Sequence, residues 1–146
     1  MKKFLCLIMV FAVLITITAC KSNTDKKENK TTTTNSVEDV VVTIERNNYP
    51  LNTEKIIAIW QNNGDEEIGL GYAFELEKET DGKFESVKPE SEVLFDLPLI
   101  KLSKNERKEI KYSINNYKLE SGTYRIKTEY IKNKKQIPIY CEFILK

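Results

Sequence analysis

The chain has 146 residues, with 23 lysine and arginine residues against 22 aspartate and glutamate residues, so its formal net charge is +1. This balance offers no extended basic field, which argues against nucleic acid as a partner. Histidine is absent, which removes the usual base of serine and cysteine triads and the commonest transition-metal ligand. We therefore expect no catalytic residues, no metal and no cofactor.

Residues 1–19 have the order of a secretory signal sequence. Lys2 and Lys3 precede an apolar run from Phe4 to Ile15, and a small residue stands directly before Cys20. The apolar run is shorter than the ~20 residues that a membrane-spanning helix needs. A plain signal peptide, or a spanning anchor that happens to contain a cysteine, is the alternative interpretation.

The four residues Ile17-Thr18-Ala19-Cys20 resemble the lipobox of bacterial lipoproteins. The resemblance implies that the Cys20 thiol receives a diacylglyceryl group, that a peptidase cleaves before Cys20, and that Cys20 becomes the mature N-terminus. Two acyl chains anchor a protein stably, because each buried methylene contributes ~0.8 kcal/mol. We therefore predict a palmitate-bearing lipoprotein that is held on the extracytoplasmic face of the cell membrane and does not cross it.

Residues 20–36 are predicted to be the lipidated cysteine and a disordered linker. The segment from Lys21 to Ser36 contains no large apolar residue and cannot bury a core. As a flexible coil, its ~16 residues would reach roughly 20–25 Å. Its excess of lysine is compatible with contact to anionic headgroups or with a plain soluble spacer.

Residues 37–146 have the pattern of a series of short strands. Alternating β-branched residues predict a first strand over Val40–Ile44, which ends before Asn47–Pro50. Lys55–Trp60 is apolar on both faces and therefore predicts a central strand. The composition of Asn62–Asp65 predicts the turn that follows it.

The segment Gly69–Glu79 predicts a strand with one buried and one wet face. Tyr72, Phe74 and Leu76 would point inward, and the residues between them would point outward. The pair Asp81-Gly82 then predicts a two-residue hairpin turn, because glycine readily takes positive φ.

A proline interrupts the next apolar segment, Val93–Leu102, so Pro98 must lie at a sheet edge or a bend. After a turn, Ile110, Tyr112 and Ile114 alternate with polar residues. This alternation predicts another half-buried strand.

The motif Leu119-x-x-Gly122-x-Tyr124 leads into a strand of alternating apolar and polar residues. This is typical of the corner at which a β-sandwich turns from one sheet to the other. In such a corner the tyrosine ring packs inward and its hydroxyl bonds to backbone a few residues upstream. The glycine takes a geometry that a side chain would strain. We therefore interpret Leu119, Gly122 and Tyr124 as a structural corner.

The chain closes with a strand that carries Tyr124 and Tyr130, a turn at Asn133–Lys135 and a last strand over Ile137–Leu145. Cys141 alternates with apolar residues there, which favours a buried thiol over a reactive one. Seven to eight short strands without a convincing helix or a repeat predict an all-β, antiparallel, two-sheet β-sandwich over residues 37–146.

Several segments are similar to the bacterial immunoglobulin-like domains of secreted and lipid-anchored proteins of low-GC Gram-positive bacteria. The resemblance rests on Gly71–Lys78, Asp81–Phe84, Leu119–Ile126 and the closing strand Glu142–Leu145. It implies an immunoglobulin-like sandwich. It implies no catalytic or ligand residues, because the family has no defined site to carry over.

Two clusters of acidic residues are the main candidates for catalysis or metal binding. Asp65, Glu66 and Glu67 share one loop, and Glu75 and Glu77 share one strand face. Glycosidase chemistry needs two carboxylates across a deep cleft, and a calcium cage needs a regular ligand spacing that this loop lacks. We interpret the loop as a solvated acidic turn, and Ser–Lys catalysis stays a formal alternative.

Aromatic residues offer a second kind of surface. Tyr49, Tyr117, Tyr130, Tyr140 and Trp60 could recognise a peptide or a glycan if they are exposed. Some of them must instead fill the core, and we assign Trp60 to it.

These patterns predict a lipid-anchored extracytoplasmic binding module of the bacterial cell envelope, with an envelope protein or a cell-wall polymer as its partner. Its membrane contact would be the lipid on Cys20. The alternative is an inhibitor or immunity-type protector against a secreted hydrolase, which would use an exposed loop such as Asn62–Glu67 or Asn133–Lys135. The binding role rests on analogy of fold.

Overall fold

A computed structural model describes residues 34–93 and 98–146. The predicted signal sequence, Cys20, most of the predicted linker and residues 94–97 lie outside these described residues. No helix long and apolar enough to cross a membrane occurs within them. Their strands, in chain order, are β1 (Thr34–Val37), β2 (Val40–Ile44), β3 (Asn48–Tyr49), β4 (Lys55–Asn62), β5 (Ile68–Leu70), β6 (Glu75–Thr80), β7 (Lys83–Ser86), β8 (Ile100–Leu102), β9 (Arg107–Ser113), β10 (Gly122–Lys132) and β11 (Lys135–Leu145).

The strands form two sheets. One is antiparallel, in the order β1-β2-β4-β9. The other is built around β10, which pairs with β11 on one side and with both β5 and β6 on the other. Strand β8 extends this sheet beside β5, β7 extends it beside β6, and β3 adds a short parallel pairing to β11. The predicted all-β sandwich is confirmed.

The core lies between the two sheets and is filled by every second residue of the long strands. Its largest fully buried side chains include Trp60 on β4, Tyr112 on β9 and Phe143 on β11. The rings of Trp60 and Tyr130 meet edge to face, with centroids 6.4 Å apart, and so join the two sheets. Burying each large apolar side chain contributes about 1.5–3 kcal/mol. The prediction that Trp60 lies in the core is confirmed.

Two tight hairpins fix the register of the second sheet. Asp81 and Gly82 join β6 to β7 with φ of 52° and 77°, as the Asp-Gly signal predicts. Asn133 and Lys134 join β10 to β11 with φ of 52° and 63°, so β11 begins at Lys135 rather than at Ile137. Every pair along β10 and β11 is therefore set by one two-residue turn.

The segment predicted as one strand over Gly69–Glu79 is broken in the structure. Leu70 pairs with Tyr130 and Glu75 pairs with Lys127, so four residues of this segment lie opposite only two of β10. This is a large bulge. It turns Tyr72 outward, where 38% of the side chain is exposed, and the prediction that Tyr72 points inward is wrong.

One residue of β6 departs from the predicted pattern of burial. Leu76 is buried as predicted, but its neighbour Glu77 is also buried, at 7% exposure, although it was expected on a wet face. The bulge itself is held by the Thr128 hydroxyl, which donates to the Ala73 carbonyl at 2.9 Å. A side chain on the neighbouring strand thus replaces the interrupted backbone ladder.

Three residues of the predicted linker, 34–36, belong to the fold instead. Within β1, Thr34 pairs with Thr43 and Val37 pairs with Val40. The Asn35 side chain donates to the Tyr140 carbonyl at 2.7 Å and so ties β1 to the edge of β11. Strand pairing needs backbone groups rather than apolar side chains, so a polar segment can supply an edge strand.

Candidate interaction surface

The loop after β4 is organised by one buried amide, that of Asn62, which is 1% exposed. Its Nδ2 donates to the carbonyls of Glu66 at 2.8 Å and Leu102 at 3.0 Å, and its Oδ1 accepts the Gly64 N–H at 3.0 Å. A buried side-chain amide whose donors and acceptor are all paired holds the surrounding backbone in one conformation. The loop over residues 62–67 is therefore a shaped surface.

The turn between β10 and β11 lies against this loop. Asn133 Nδ2 donates to Glu66 Oε2 at 2.8 Å. Lys132 Nζ lies 3.0 Å from Glu38 Oε2 and 3.7 Å from Asp39 Oδ2. The two loops named from the sequence, 62–67 and 133–135, thus come together. We call the combined region of residues 38–39, 62–67 and 132–135 the loop surface.

Two further acids of the loop surface are paired with lysines. Asp65 pairs with Lys104, and Glu67 lies 2.9 Å from the Lys101 ammonium group. Such exposed pairs each contribute about 0–1 kcal/mol. Within residues 34–93 and 98–146, no three acidic or cysteine side chains converge to hold a metal ion.

A groove of about 200 Å³ opens on the outer face of the second sheet, where β5 gives way to β6. Its apolar walls are Tyr72, Pro98, Leu99 and Ile131. Its polar side is Glu129 on β10 and Gln136 on β11, and Gly71 and Ala73 complete the lining. We call this the bulge groove, because the bulge between β5 and β6 provides one wall.

Leu99 forms its wall by lying over the bare backbone of Gly69. A Cβ added at Gly69 would stand 2.9 Å from both methyl carbons of Leu99. Leu99 nevertheless keeps 52% of its surface exposed. With Tyr72, it forms an apolar surface beside polar groups, which is the composition of a contact site.

The polar side of the groove is a single hydrogen-bonded pair. Gln136 Nε2 donates to Glu129 Oε1 at 2.8 Å. Glu129 forms no ion pair with a lysine or arginine among the described residues. Its carboxylate therefore brings one uncompensated negative charge to the groove.

Nearby on the same outer face, Arg125 stacks between two rings. Its guanidinium carbon lies 4.0 Å from the Phe84 ring centroid and 4.5 Å from that of Tyr140, and its Nε bonds to Glu77. Cation–π contacts and a charged partner together explain why Glu77 can be buried.

Glu75, which shares a strand face with Glu77, also has a basic partner. Lys127 donates to Glu75 at 2.9 Å, and this hydrogen bond lowers the pKa of Glu75. Glu75 and Glu77 are thus both engaged by bases on β10. The arrangement stabilises the sheet and presents no free acid pair for catalysis.

The residues of the predicted corner lie together at the start of β10. Tyr124 is 1% exposed, and its hydroxyl donates to the Glu120 carbonyl at 3.0 Å. Gly122 has φ of 158°, and an added Cβ would stand 3.2 Å from Lys78 Cε. Leu119 is half-buried against the core.

Cys141 is buried on the inner face of β11, as expected from its alternation with apolar residues. Burial raises the pKa of its thiol to about 12. A thiol with this pKa stays protonated near neutral pH and is not a nucleophile.

Most of the aromatic residues considered as a recognition surface are not exposed. Tyr49, Tyr130 and Trp60 are buried. Tyr140 is engaged by Arg125, and Tyr117 packs at the edge of the core. Among the residues that the structure describes, the exposed aromatic ring is that of Tyr72, which the alternation assigned to the interior. Gly71 beside it was the available signal that the strand is interrupted.

Similarity to a known protein family is found over most of this chain. A family model described as a bacterial Ig-like domain matches residues 36–143. A search of curated proteins found no match. The matched residues extend from the last residues of β1 nearly to the end of β11 and include the bulge groove and the loop surface.

Proposed function

The chain belongs to the bacterial immunoglobulin-like domains, and from this membership we propose that it is a lipid-anchored interaction module on the outer face of a bacterial cytoplasmic membrane. The proposal combines the fold with the lipobox-like residues Ile17–Cys20. A protein held by lipid on Cys20 is confined to the membrane surface. Its folded part must then present a contact site away from that surface.

The direction of β1 is the main support for the proposed position of the contact site. The strand runs from Thr34, which pairs with Thr43, to Val37, whose carbonyl accepts the Tyr130 hydroxyl at 3.0 Å. Directly after Val37 comes Glu38 of the loop surface. The strand therefore runs toward the loop surface, and Thr34 is the end of β1 that lies farther from it.

This geometry separates the membrane side from the contact side. With ~13 residues between Cys20 and Thr34, a flexible coil spans roughly 20 Å. The loop surface lies at the end of the sandwich toward which β1 runs. Gln136, in the bulge groove, follows the β10–β11 turn by one residue and so lies near the same end. Both surfaces would thus face outward from the membrane.

The described residues favour binding over catalysis. Glu75 and Glu77 on the outer face are engaged by bases, and Cys141 is a buried, protonated thiol. The exposed groups of the loop surface and the bulge groove are apolar side chains, amides and charged groups, which are usual components of a transient protein interface.

The anchor and the contact side are tested separately. For the anchor, Cys20→Ala should abolish incorporation of labelled palmitate into the full-length chain. Continued labelling of this variant would contradict the lipid anchor.

For the contact side, a photo-crosslinking amino acid is placed at position 134, on the loop surface, in living cells. The matched control carries the same probe at position 83, in the β6–β7 hairpin at the other end of the sandwich. We expect a discrete crosslinked envelope component from position 134 and not from position 83. Equal products from both positions, or none from position 134, would contradict the proposed orientation.

The same experiment addresses the inhibitor hypothesis, since that function would also use the loops 62–67 and 133–135. Their contact through Asn133 and Glu66 makes them one surface that could enter the cleft of an enzyme. If the crosslinked component is a secreted hydrolase, purified chain should lower its turnover. A partner with unchanged activity would favour the plain binding module.

A further inference from the structure

We infer that the bulge groove receives a lysine or arginine side chain of a partner protein. This inference rests on the proposed binding function and names the chemistry of one contact within it. Three features carry it: the apolar walls, an exposed aromatic ring, and a carboxylate without a cation.

The walls suit the alkyl part of a long basic side chain. Leu99 and Ile131 provide aliphatic surface, and Pro98 closes that side. Lysine and arginine bury their methylene stems along apolar surface while the charged head stays near polar groups. A groove with walls of this kind therefore fits the stem.

The charged head would meet two complementary groups. Tyr72 presents its ring at the groove, and cations are attracted to the face of an aromatic ring. Glu129 supplies the negative charge, and the hydrogen bond from Gln136 to Oε1 holds the carboxylate in place while Oε2 takes no part in that bond.

Glu129 shares with Glu66 the lack of a basic partner among the described residues, but of these two only Glu129 lines the groove. Glu67, Glu75 and Glu77 each have a basic partner within the chain. Glu129 has only the neutral amide of Gln136 among the described residues. A cation brought by another molecule would be the first to neutralise it.

Size limits the occupant to something small. At about 200 Å³, the groove is below the roughly 300–1,000 Å³ of sites for drug-sized ligands. One side chain fits this volume, whereas an extended cofactor or a folded segment does not.

The test uses the full-length chain in detergent micelles and two short peptides as probes. One is acetyl-Gly-Ser-Lys-Ser-Gly-amide, and the other has norleucine in place of lysine. Binding is followed by amide shifts in ¹⁵N–¹H correlation spectra. We expect the lysine peptide to shift the amides of Tyr72, Glu129 and Gln136, and raised salt to weaken the effect.

Two isosteric variants separate charge from shape. Glu129→Gln should weaken binding of the lysine peptide on the order of three- to ten-fold, as expected for loss of an exposed charge pair. Glu142→Gln, on the same sheet face but outside the groove, should leave it unchanged. Both variants should give wild-type spectra away from the substituted residue.

Several outcomes would overturn the inference. Equal binding of the norleucine peptide would make the groove an apolar slot, and equal loss in Glu129→Gln and Glu142→Gln would indicate a diffuse charge effect. If neither peptide binds while the probe at position 134 still captures a partner, the binding function stands and this contact chemistry fails. Loss of that crosslink would instead count against the binding function itself.

Discussion

The Tyr124 hydroxyl is bonded to both backbone groups of Glu120: it donates to the carbonyl at 3.0 Å and accepts the N–H at 3.2 Å. These two bonds hold the turn that leads into β10, the strand on which the second sheet is built. Tyr124→Phe keeps the ring and removes both bonds, so we expect the free energy of unfolding to fall by about 1–2 kcal/mol. Urea denaturation followed by tryptophan fluorescence measures it.

Tyr72→Phe is the matched control for this change, because that hydroxyl is on an exposed side chain. It should alter stability by less than about 0.5 kcal/mol. If Tyr124→Phe were as stable as the wild-type chain, the corner would depend on packing of the ring and not on its hydroxyl.

Asn62→Ala should destabilise the protein by about 2–3 kcal/mol. The substitution leaves the Glu66 and Leu102 carbonyls and the Gly64 N–H without the partners that the amide supplies. Hydrogen exchange should also quicken at Gly64. Asn63→Ala, one residue on and exposed, should have little effect on either measurement, and comparable losses from both variants would contradict a special role for Asn62.

Arg125→Met should cost about 1–3 kcal/mol, because it leaves Glu77 buried with only Lys127 nearby, 3.8 Å away. Adding Glu77→Gln to this variant should recover part of the loss, since a neutral amide is cheaper to bury than a carboxylate. The four variants form a double-mutant cycle measured by chemical denaturation. Additive losses would show that Glu77 and Arg125 do not stabilise one another.

Stability should decline at alkaline pH because of two buried ionisable groups, the Cys141 thiol and the Tyr112 hydroxyl. Burial raises the pKa of the Cys141 thiol to about 12 and also raises that of the Tyr112 hydroxyl. The unfolded chain loses these protons near the ordinary values of 9.0 and 10.0, so above about pH 9 it binds fewer protons than the folded chain. Their contribution is therefore complete below pH 9 and is lost as pH rises toward the folded values, at up to about 1.4 kcal/mol per pH unit for each group.

Denaturant titrations at intervals from pH 7 to pH 11 measure this decline. Cys141→Ala should be less stable at pH 7, because it leaves a cavity, yet its stability should fall less steeply above pH 9. An unchanged slope in this variant would show that the thiol does not contribute to the alkaline loss.

Local patterns in the sequence were sufficient for much of the sandwich. The alternation of Val40–Ile44 and the Asp81-Gly82 turn depend on neighbours in sequence, and both appear in the structure as predicted. The bulge was not predictable in this way. Tyr72, Phe74 and Leu76 alternate whether the segment is straight or broken, and the choice is made by pairing with β10, more than 50 residues away.

In the candidate site, too, local features were predictable and contacts between distant residues were not. Composition marked the two loops as exposed, but their contact through Glu66 and Asn133 depends on residues 67 positions apart. The bulge groove needed three distant segments to meet: the bulge, the residues before β8, and the β10–β11 hairpin. Glu129 and Gln136 were not predicted as site residues, because nothing local distinguishes them from other polar residues.

The course of β1 has a mechanical consequence. If the lipid holds one end of the chain and a partner holds the loop surface, tension runs along β1, and its antiparallel bonds to β2 lie across the direction of pull. The bonds from Thr34 to Val37 then share the load in shear, and they are not peeled open one at a time. The Asn35 bond to Tyr140 adds a second fastening to the other sheet. The short strand β1, with three polar residues and Val37, would thus transmit force from the linker to the folded domain.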